Sequence, residues 1–454
     1  KQHTAQFRQS WIDLLKIPSV STDSAFTDEV RRAAEWLKAD FERIGLNSEL
    51  IETPGHHPIV YAEWLVAGDE APTVLIYGHY DVQPAVIEDG WDSDPFEPVE
   101  KDGKLYARGA TDDKGQFYAH VKAVEALLKS DEGLAVNVKF IIEGEEESGG
   151  EAITQYVQTH GEKLKADVCV ISDTSMQDIN QPVIINALRG GVGFEVTVTG
   201  PRQDLHSGMF GGTVHNPAQA LAEIIAQLHK ADGSVAVPGF YDDVVELSAQ
   251  EREEIARVHW DDADWHRATG APQPWGEADY SLLERIGARP TLEITGMASG
   301  YYGKGSKSII PHQALAKISC RLVANQTPSD IQGKVIAFIE SISPDDVTVT
   351  VKSLRAGAYP ALIKTDTPMI QAAIEAYQAG WGAQPIFKRE GGSIPIVSDF
   401  QNRLGLPVIM MGFGLDSDNL HGPNEHFSIA MFHKGIDTSI HFMRAVANLS
   451  DLTQ

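Results

Sequence analysis

The chain has 454 residues, of which 42% are hydrophobic and 22% charged, a composition typical of a globular protein long enough for two or three domains. Its 37 Lys and Arg residues against 64 Asp and Glu give a net charge of −27, which repels nucleic-acid phosphates. No apolar run approaches the ~20 residues that a membrane-spanning helix needs. We therefore expect no nucleic-acid partner and no membrane partner.

Two further features bear on cellular location and on metal chemistry. Residues 1–10 are polar and lack the apolar core of a signal peptide, which predicts a cytoplasmic protein. The two cysteines, Cys169 and Cys320, lie far apart in apolar, strand-like runs, so we expect neither a disulfide framework nor a cysteine-ligated zinc ion. Any metal ion would have to be held by His, Asp and Glu.

Residues 1–190 have the pattern of a sheet that is covered by helices on both faces. Apolar residues at helical spacing predict an amphipathic helix over 27–45. Continuous apolar runs at 73–77, 134–142 and 167–172 indicate strands that are buried on both sides. Such strands are typical of a parallel sheet in an α/β fold.

The pattern changes near residue 191 to the alternation of a half-exposed strand, which indicates a different domain. This second region predicts a small sheet with two helices, interrupted by an irregular stretch at 233–290 that is rich in Asp, Trp, Gly and Pro. A fully apolar run at 406–411 then returns to the first pattern. The second region is therefore predicted to be an insertion.

These patterns predict an α/β fold with an inserted α+β domain. The first domain comprises residues 1–190 and 357–454 and has a largely parallel central sheet flanked by helices. The inserted domain comprises residues 191–356. In α/β sheets, ligands bind beyond the carboxyl ends of the strands, so polar residues at those positions are candidates for a site.

Several polar side chains follow the predicted buried strands or begin the next helix. Taken singly, each has a simpler interpretation: a solvated acidic turn, a helix cap or a structural histidine. Together they predict a pair of divalent ions such as Zn²⁺ or Mn²⁺, each held by one His and one carboxylate, with a further carboxylate bridging them. They are His79, Asp81, Asp112, Glu146, Glu147, Asp173 and His421.

Two short motifs suggest supporting roles within this set. If the chain is extended at 79–81, Asp81 points the same way as His79 and can accept a hydrogen bond from the free ring nitrogen of that histidine. If it is also extended at Glu146 and Glu147, their side chains diverge, so one can bind metal while the other takes a proton.

Six ordered motifs are distributed along the chain. They are His79-Tyr-Asp-Val-Gln-Pro84, Leu105-Tyr-Ala-Arg-Gly-Ala-Thr-Asp-Asp-Lys-Gly115, Glu143-Gly-Glu-Glu-Glu-Ser-Gly149, Asp204-Leu-His-Ser-Gly208, Arg389-Glu-Gly-Gly-Ser-Ile-Pro395 and His421-Gly-Pro-Asn-Glu425. Together they resemble the motifs of the dinuclear metallopeptidase family of aminoacylases, carboxypeptidases and dipeptidases. Within that family they are most similar to the carnosinase and cytosolic non-specific dipeptidase group, and the similarity covers essentially the whole chain.

The resemblance implies two divalent ions per chain, Zn²⁺ or alternatively Mn²⁺, and it implies a role for each ligand. Asp112 would bridge the ions. The remaining ligands would be His79 and Asp173 for one ion, and Glu147 and His421 for the other.

The resemblance also implies roles for residues around the ions. Glu146 would be the general base and Asp81 would orient His79. The peptide bond between Asp112 and Asp113 would be cis, as it is in the family.

The inserted domain would be a lid and dimerisation domain, so the resemblance implies a homodimer. His206 would reach the active site of a neighbouring subunit and polarise the scissile carbonyl. Arg321 would clamp the C-terminal carboxylate of the substrate, and Gly392 and Ser393 would line the pocket. Ser308 stands where the dipeptidase group has Thr, and it keeps a hydroxyl. From the sequence alone, Arg321 could equally be an exposed strand residue and His206 could close a turn.

The implied function is hydrolysis of the amide bond of dipeptides or short peptides with a free C-terminal carboxylate. A metal-bridging water would attack the amide, and Glu146 would act as general base. The first alternative is an N-acyl amino acid deacylase or a carboxypeptidase. A second, from another class, is a catalytically silent metal-binding scaffold.

Overall fold

The structure, a computed structural model, describes residues 3–354 and 357–449. The chain divides into two compact units. The first comprises Lys1–Asn186, Ile363–Phe387 and Asp399–Gln454, and the second comprises Ala187–Leu362 and Lys388–Ser398. The predicted end of the inserted domain, residue 356, lies outside the described residues.

The helices alternate with strands along most of the chain. In chain order they are α1 (Thr4–Leu15), α2 (Thr27–Ile44), α3 (Lys114–Leu128), α4 (Glu151–His160), α5 (Ser207–Phe210), α6 (Pro217–Ala226), α7 (Ala249–Ile255), α8 (Asp262–Thr269), α9 (Leu282–Gly287), α10 (Pro328–Ile342), α11 (Pro368–Ala376), α12 (Pro395–Leu404) and α13 (Ile429–Ala447).

The strands belong mainly to one large and one smaller sheet. They are β1 (Asn47–Ile51), β2 (Ile59–Trp64), β3 (Thr73–His79), β4 (Val99–Lys101), β5 (Lys104–Tyr106), β6 (Asn137–Glu143), β7 (Val168–Ile171), β8 (Ser175–Met176), β9 (Val183–Leu188), β10 (Gly190–Thr199), β11 (Leu205–His206), β12 (Thr291–Ser299), β13 (Ile309–Ile310), β14 (Gln313–Leu322), β15 (Thr348–Ser353), β16 (Ala361–Leu362), β17 (Ile386–Glu390), β18 (Val408–Met411), β19 (Gly414–Leu415) and β20 (His426–Ser428).

The large sheet lies in the first unit and runs in the order β1-β2-β6-β3-β7-β18-β9. Its four central strands, β6, β3, β7 and β18, are parallel. The pairs β1-β2, β2-β6 and β18-β9 are antiparallel. The predicted α/β class is confirmed, and the sheet as a whole is mixed, with parallel strands only at its centre.

Burial explains why the central strands read as continuous apolar runs. Every residue of β6 is buried, and β3 is buried after its first residue. Helix α2 packs on β1 and β2 through an apolar stripe, and it ends at Gly45, whose φ of 100° suits a residue without a Cβ atom. The sheet therefore has the two covered faces that the sequence predicts.

Three helices have bounds that differ from those that hydrophobic spacing predicts. The spacing predicts a helix over 116–130, and α3 begins two residues earlier, at Lys114. It also predicts a helix over 367–381, which is an α-helix only to Ala376 and continues as a π-helical turn over Tyr377–Trp381. The final helix, predicted over 428–449, ends at Ala447.

The second unit contains an antiparallel sheet in the order β12-β14-β10-β15. One face of β10, including Phe194 and Val196, packs with Leu221 of α6 and Val335 of α10 in a buried apolar cluster. The stretch predicted to be irregular at 233–290 contains the short helices α7, α8 and α9. Each of these helices begins with a capping box, which stabilises its first turn. The composition of the stretch does not reveal this side-chain pattern.

Close packing of α3 against β3 depends on Gly78. A Cβ atom at this position would lie 2.5 Å from Phe117 Cβ and 2.7 Å from Asp113 Oδ2. We expect Gly78→Ala to lower the free energy of unfolding by ~1–3 kcal/mol, because α3 would have to move away from the sheet. Urea-induced unfolding of the variant and the wild type measures this loss.

The matched control is Gly333→Ala in α10, where a Cβ atom would have no heavy atom within 4 Å. Alanine has the higher helix propensity, so this variant should gain roughly 0.5–1 kcal/mol. Equal stabilities of the two variants would contradict the packing argument.

Candidate metal centre

The parallel strands bring the predicted ligands to one edge of the large sheet. His79 is the last residue of β3 and pairs in register with Glu143, the last residue of β6. Asp173 follows β7 by two residues, and Asp112 precedes α3 by two residues. The carboxyl ends of these strands therefore converge on one place, as expected for an α/β sheet.

Asp112 lies between the two candidate histidines. Its Oδ1 atom is 3.0 Å from Nε2 of His79, and its Oδ2 atom is 2.9 Å from Nε2 of His421. His79 is buried, whereas the His421 side chain is 57% exposed. Each oxygen of the Asp112 carboxylate thus faces a different histidine, which is the arrangement a bridging ligand requires.

Two further carboxylates complete two groups of potential metal ligands. Oδ2 of Asp173 is 3.9 Å from Nε2 of His79, and Oε1 of Glu147 is 3.3 Å from Nε2 of His421. Within each group the potential ligand atoms lie within 4.8 Å of one another, and Asp112 belongs to both groups. The structure brings all five predicted ligands together.

Electrostatics in this cluster favour the binding of cations. Burial and the charge of Asp112 raise the pKa of Asp173 well above its usual range. Burial also opposes ionisation of Asp112, but hydrogen bonds with His421 and His79 outweigh it and lower the pKa of that carboxyl. Hydrogen bonds with Asp112 and Glu147 raise the pKa of His421 to about 10. Without metal, protonated histidines thus partly neutralise the carboxylates, and divalent cations could replace those protons.

The general-base candidate, Glu146, differs from its neighbour Glu147. Burial, with the nearby charge of Glu147 adding to it, raises the pKa of Glu146 to about 7, although His79 acts in the opposite direction. Its carboxylate has no hydrogen-bond partner among residues 3–354 and 357–449. A carboxylate that is unpartnered and titrates near neutrality has the properties of a general base.

The extended conformation predicted for Glu146 and Glu147 is wrong. Residues Glu146–Ser148 form a 3₁₀ turn that ends at Gly149, whose φ is 119°. The turn is held by Asp81, whose carboxylate accepts hydrogen bonds from the backbone N–H groups of Glu146 at 3.2 Å and Glu147 at 3.1 Å. The turn therefore separates the side chains of Glu146 and Glu147. The Asp81 carboxylate sets the position of this turn.

The contact between Asp81 and His79 also differs from the predicted one. Nδ1 of His79 is 3.0 Å from the backbone oxygen of Asp81, whereas the nearest carboxylate oxygen is 3.4 Å away. The shorter contact is to the backbone, so we assign the orientation of the His79 ring mainly to the Asp81 carbonyl. The carboxylate is also held by the Ser21 hydroxyl at 2.6 Å.

The Asp112–Asp113 peptide bond is cis, as the resemblance implied. Asp113 is fully buried, and its Oδ2 atom accepts the backbone N–H of His79 at 3.3 Å. The loop that carries Asp112 is therefore tied directly to the end of β3.

Glu425 is a functional residue that the sequence did not indicate, although it is the last residue of the His421 motif. The buried Glu425 carboxylate accepts the backbone N–H groups of Gly109, Thr111 and Asp112 at 2.9 to 3.0 Å. It also forms a 2.7 Å ion pair with Arg108. One carboxylate thus satisfies four donors and holds the loop that carries Asp112.

Glu425 is four residues from His421, so it links the segments of two candidate ligands. Glu425→Gln would place an amide N–H₂ against these donors, and we expect it to cost ~1–3 kcal/mol of stability. We also expect metal affinity to fall by roughly 10- to 100-fold. Metal titration and urea-induced unfolding measure the two effects. Equal metal affinities of Glu425→Gln and the exposed control Glu97→Gln would refute this role.

Two other carboxylates of the acidic stretch have structural partners. Glu145 contacts Nδ1 of His56 at 2.9 Å and accepts the backbone N–H of His57 at 2.7 Å. Glu143 accepts the Tyr77 hydroxyl at 2.6 Å. Gln83 donates to Oε2 of Glu147 at 2.7 Å and so orients that candidate ligand. Glu143, Glu145 and Gln83 all lie within the motifs that carry the resemblance, but the sequence indicated no role for them.

The other predicted site residues lie in the second unit. His206 is exposed in β11, and its Nδ1 atom accepts the backbone N–H of Gly208 at 3.0 Å. The carbonyl of Ser308 accepts the backbone N–H of Ser207 at 3.1 Å, so Ser308 lies beside the same turn. Neither contact involves the Ser308 hydroxyl.

Arg321 and the pocket residues form a separate group within this unit. Nη1 of Arg321 donates to the Ser393 hydroxyl at 3.0 Å. The Ser393 hydroxyl in turn donates to the carbonyl of Arg189. Gly392 accepts the backbone N–H of Arg189 through its own carbonyl at 3.1 Å. Arg321 is therefore half-buried and held in place, unlike an ordinary exposed strand residue.

A third group of potential ligands occurs at the start of α8. His259, Asp261 and Asp264 lie within ligand distance of one another but are largely exposed. Asp261 and Asp264 form the capping box of this helix, which accounts for their proximity. We assign no metal to this group.

Stability of the metal-free protein is expected to depend on pH through Glu146. The folded-state pKa of about 7 exceeds the value of ~4.3 in an unfolded chain. The contribution of Glu146 to stability is therefore full below about pH 4 and is lost as the pH rises toward 7. Urea-induced unfolding of chelator-treated Glu146→Gln should show a smaller loss over this range than the wild type. Parallel pH dependences would contradict the raised pKa.

No helix within residues 3–354 and 357–449 has the length and apolar character to cross a bilayer.

The sequence of the chain is similar to those of known peptidases. Residues 75–445 match the model of peptidase family M20/M25/M40. The chain is 32% identical over 452 residues to a Cys-Gly metallodipeptidase of Schizosaccharomyces pombe, an alignment that covers 96% of this chain and 94% of the yeast protein. It is 33% identical to the human Beta-Ala-His dipeptidase, over 86% of this chain and 78% of that protein.

A solved structure is also similar over nearly its whole length. The M20 family metallo-carboxypeptidase of Sulfolobus solfataricus superposes with a TM-score of 0.87 and 32% sequence identity, covering 98% of this chain and 99% of the archaeal chain.

Proposed function

Because the chain belongs to peptidase family M20/M25/M40, the family that its motifs resembled, we propose that it hydrolyses the amide bond of dipeptides or short peptides with a free C-terminal carboxylate. The observation that carries this proposal is the position of Asp112, whose two oxygens lie 3.0 Å from His79 and 2.9 Å from His421. The metallodipeptidase activity of relatives that align over most of this chain supports it.

The residues present fit two divalent cations. Asp112 would be shared, and the set of imidazole nitrogens and carboxylate oxygens suits Zn²⁺, with Mn²⁺ as the alternative. One ion would be held with His79 and Asp173, the other with Glu147 and His421. When bound, such ions act as Lewis acids toward a carbonyl and lower the pKa of water.

The side chain of Glu146 would perform the proton transfers. As a carboxylate it would accept a proton from the attacking water, and as the acid it would deliver that proton to the leaving amine. Its pKa of about 7 in the metal-free protein and its lack of hydrogen-bond partners within the described residues support this role.

The second unit would bind and polarise the substrate. We propose that Arg321 pairs with the C-terminal carboxylate, with Ser308, Gly392 and Ser393 lining the pocket. His206, which is exposed, would act on the carbonyl in the active site of a second subunit. This role requires a homodimer, which light scattering of the purified protein tests. The domain division at 191–356 and the cytoplasmic location stay predictions.

The decisive experiment combines metal analysis with a dipeptide library. We expect about two equivalents of divalent metal per chain, and activity that chelation removes and Zn²⁺ or Mn²⁺ restores. Hydrolysis of unblocked dipeptides that stops when the C-terminus is amidated would support the proposed substrate class. Activity on amidated dipeptides equal to that on free ones would overturn it.

The similarity to the archaeal metallo-carboxypeptidase favours one second candidate, removal of the C-terminal residue from longer peptides. Peptides of two to six residues with the same C-terminus separate the two activities, because a dipeptidase should lose activity as the chain lengthens. N-acyl amino acids in the same panel test the deacylase alternative. Two bound metal ions without turnover of any amide would favour the silent scaffold.

A further inference from the structure

We propose that Arg189 is a second cationic residue of the subsite assigned to Arg321, and that the pair selects substrates whose C-terminal residue is Asp or Glu. This inference rests on the proposed function. It adds to that function a residue and a substrate class.

Both arginines contact the same short loop of the second unit. Arg189 donates from Nε to the Gly391 carbonyl at 3.0 Å and from its backbone N–H to the Gly392 carbonyl at 3.1 Å. Arg321 donates from Nη1 to the Ser393 hydroxyl at 3.0 Å. The loop therefore orients two guanidinium groups through hydrogen bonds that leave their other N–H groups available.

Each of these guanidinium groups lies next to a glycine. Arg321 pairs in register with Gly191, and a Cβ atom on Gly191 would lie 3.9 Å from its Nη1 atom. A Cβ atom on Gly391 would lie 2.9 Å from Nη2 of Arg189 and 2.8 Å from Cγ2 of Ile286. Each guanidinium group thus borders backbone that carries no Cβ atom, where a small anion can approach.

Neither arginine has an anionic partner in the part of the chain that the structure describes. Arg252 and Arg289 of the same unit form ion pairs with glutamates, whereas Arg189 and Arg321 form none within 4.0 Å. Burial, with the charge of Arg321 adding to it, lowers the pKa of Arg189 to about 10, which still leaves it protonated at neutral pH.

Two carboxylates act on Arg189 from farther away. Glu293 is exposed on β12, and Glu390 precedes the loop; both favour the charged form of Arg189 but form no ion pair with it. They reduce the local positive charge without occupying the free N–H groups. Two guanidinium groups therefore remain to be paired by a ligand.

The chemistry of guanidinium groups then indicates the ligand. Each guanidinium can pair with one carboxylate through two parallel hydrogen bonds. A peptide that ends in a neutral residue offers one carboxylate, whereas a peptide that ends in Asp or Glu offers two. One charged hydrogen-bonded pair favours the second class by roughly 10- to 100-fold in kcat/KM.

The test compares isosteric substrates with the metal-loaded enzyme. We expect Ala-Glu to be cleaved about 10-fold or more faster than Ala-Gln, in terms of kcat/KM. In Arg189→Gln both substrates should be cleaved more slowly, and the Glu/Gln ratio should fall to near one. The control Lys317→Gln removes an exposed positive charge from the same strand as Arg321 and should keep the wild-type ratio.

Arg189→Lys keeps the charge but not the paired geometry, and it should retain an intermediate ratio. This variant separates loss of charge from misfolding of the 391–393 loop. A Glu/Gln ratio near one for the wild-type enzyme would overturn the inference. A Glu/Gln ratio in Arg189→Gln that equals the wild-type ratio would overturn it as well.

Failure of the proposed function would look different, because no dipeptide would then be cleaved. Calorimetric titration with succinate and with butyrate tests the subsite without turnover. Tighter binding of succinate that is lost in Arg189→Gln supports the pair. Equal affinities of the two acids for the wild type would overturn it.

Discussion

Glu146→Gln is expected to lower kcat by a factor of about 10² to 10⁴ while metal content stays at the wild-type level. Glutamine keeps the size of the side chain and cannot accept or return the proton. The Glu146 carboxylate makes no hydrogen bond with any described residue, so its replacement should not disturb the ligands. Steady-state kinetics on a dipeptide, with elemental analysis of the same samples, measures both quantities.

The matched control is Glu151→Gln, which neutralises an exposed carboxylate at the start of α4. It should keep the wild-type kcat. A kcat of Glu146→Gln close to that of the wild type would show that Glu146 is not the general base. Loss of metal in that variant would instead make Glu146 a ligand.

The second large effect is expected for Asp112→Ala. Because each Asp112 oxygen faces a different histidine, its loss should weaken both metal sites together. Changes in the residues that merely orient ligands cost 10- to 100-fold in affinity, so loss of a shared ligand should cost at least 10²-fold at each site. Activity should fall to the background level.

Metal stoichiometry distinguishes a shared ligand from an ordinary one. Asp112→Ala should retain close to no metal after gel filtration, whereas the exposed control Asp131→Ala should match the wild type. One equivalent bound with wild-type affinity would show that Asp112 serves a single ion. Addition of excess Zn²⁺ should restore little activity, since the geometry of both sites depends on the missing carboxylate.

The sequence predicts those parts of the structure that depend on local pattern. Continuous apolar runs identified the buried strands, and the polar residues after them, His79 and Asp173, come together because parallel strands share an edge. The sequence did not indicate which strands of the sheet are antiparallel. The antiparallel strand β2, for example, is as buried as a central strand over most of its length.

Long-range hydrogen bonds were the least predictable feature. Glu425 reaches the loop at Asp112, more than 300 positions away in the chain, and nothing in its own segment indicates that partner. The 3₁₀ turn at Glu146 is held by Asp81 in the same way. Short helices such as α8 lie in a polar stretch and depend on capping side chains. Hydrophobic spacing gives little indication of such helices.

The position of β18 in the large sheet has a consequence for biosynthesis. β18 lies between β7 and β9, and Val408 pairs with Cys169 across more than half of the chain. At ~5–20 residues per second, a ribosome needs on the order of ten seconds or more between completing β9 and producing β18. Throughout that interval the edge of β7 would present unpaired backbone groups, a template for aggregation. The nascent chain thus depends on the timely arrival of its last strands, and a chain truncated before β18 should require chaperones to stay unaggregated.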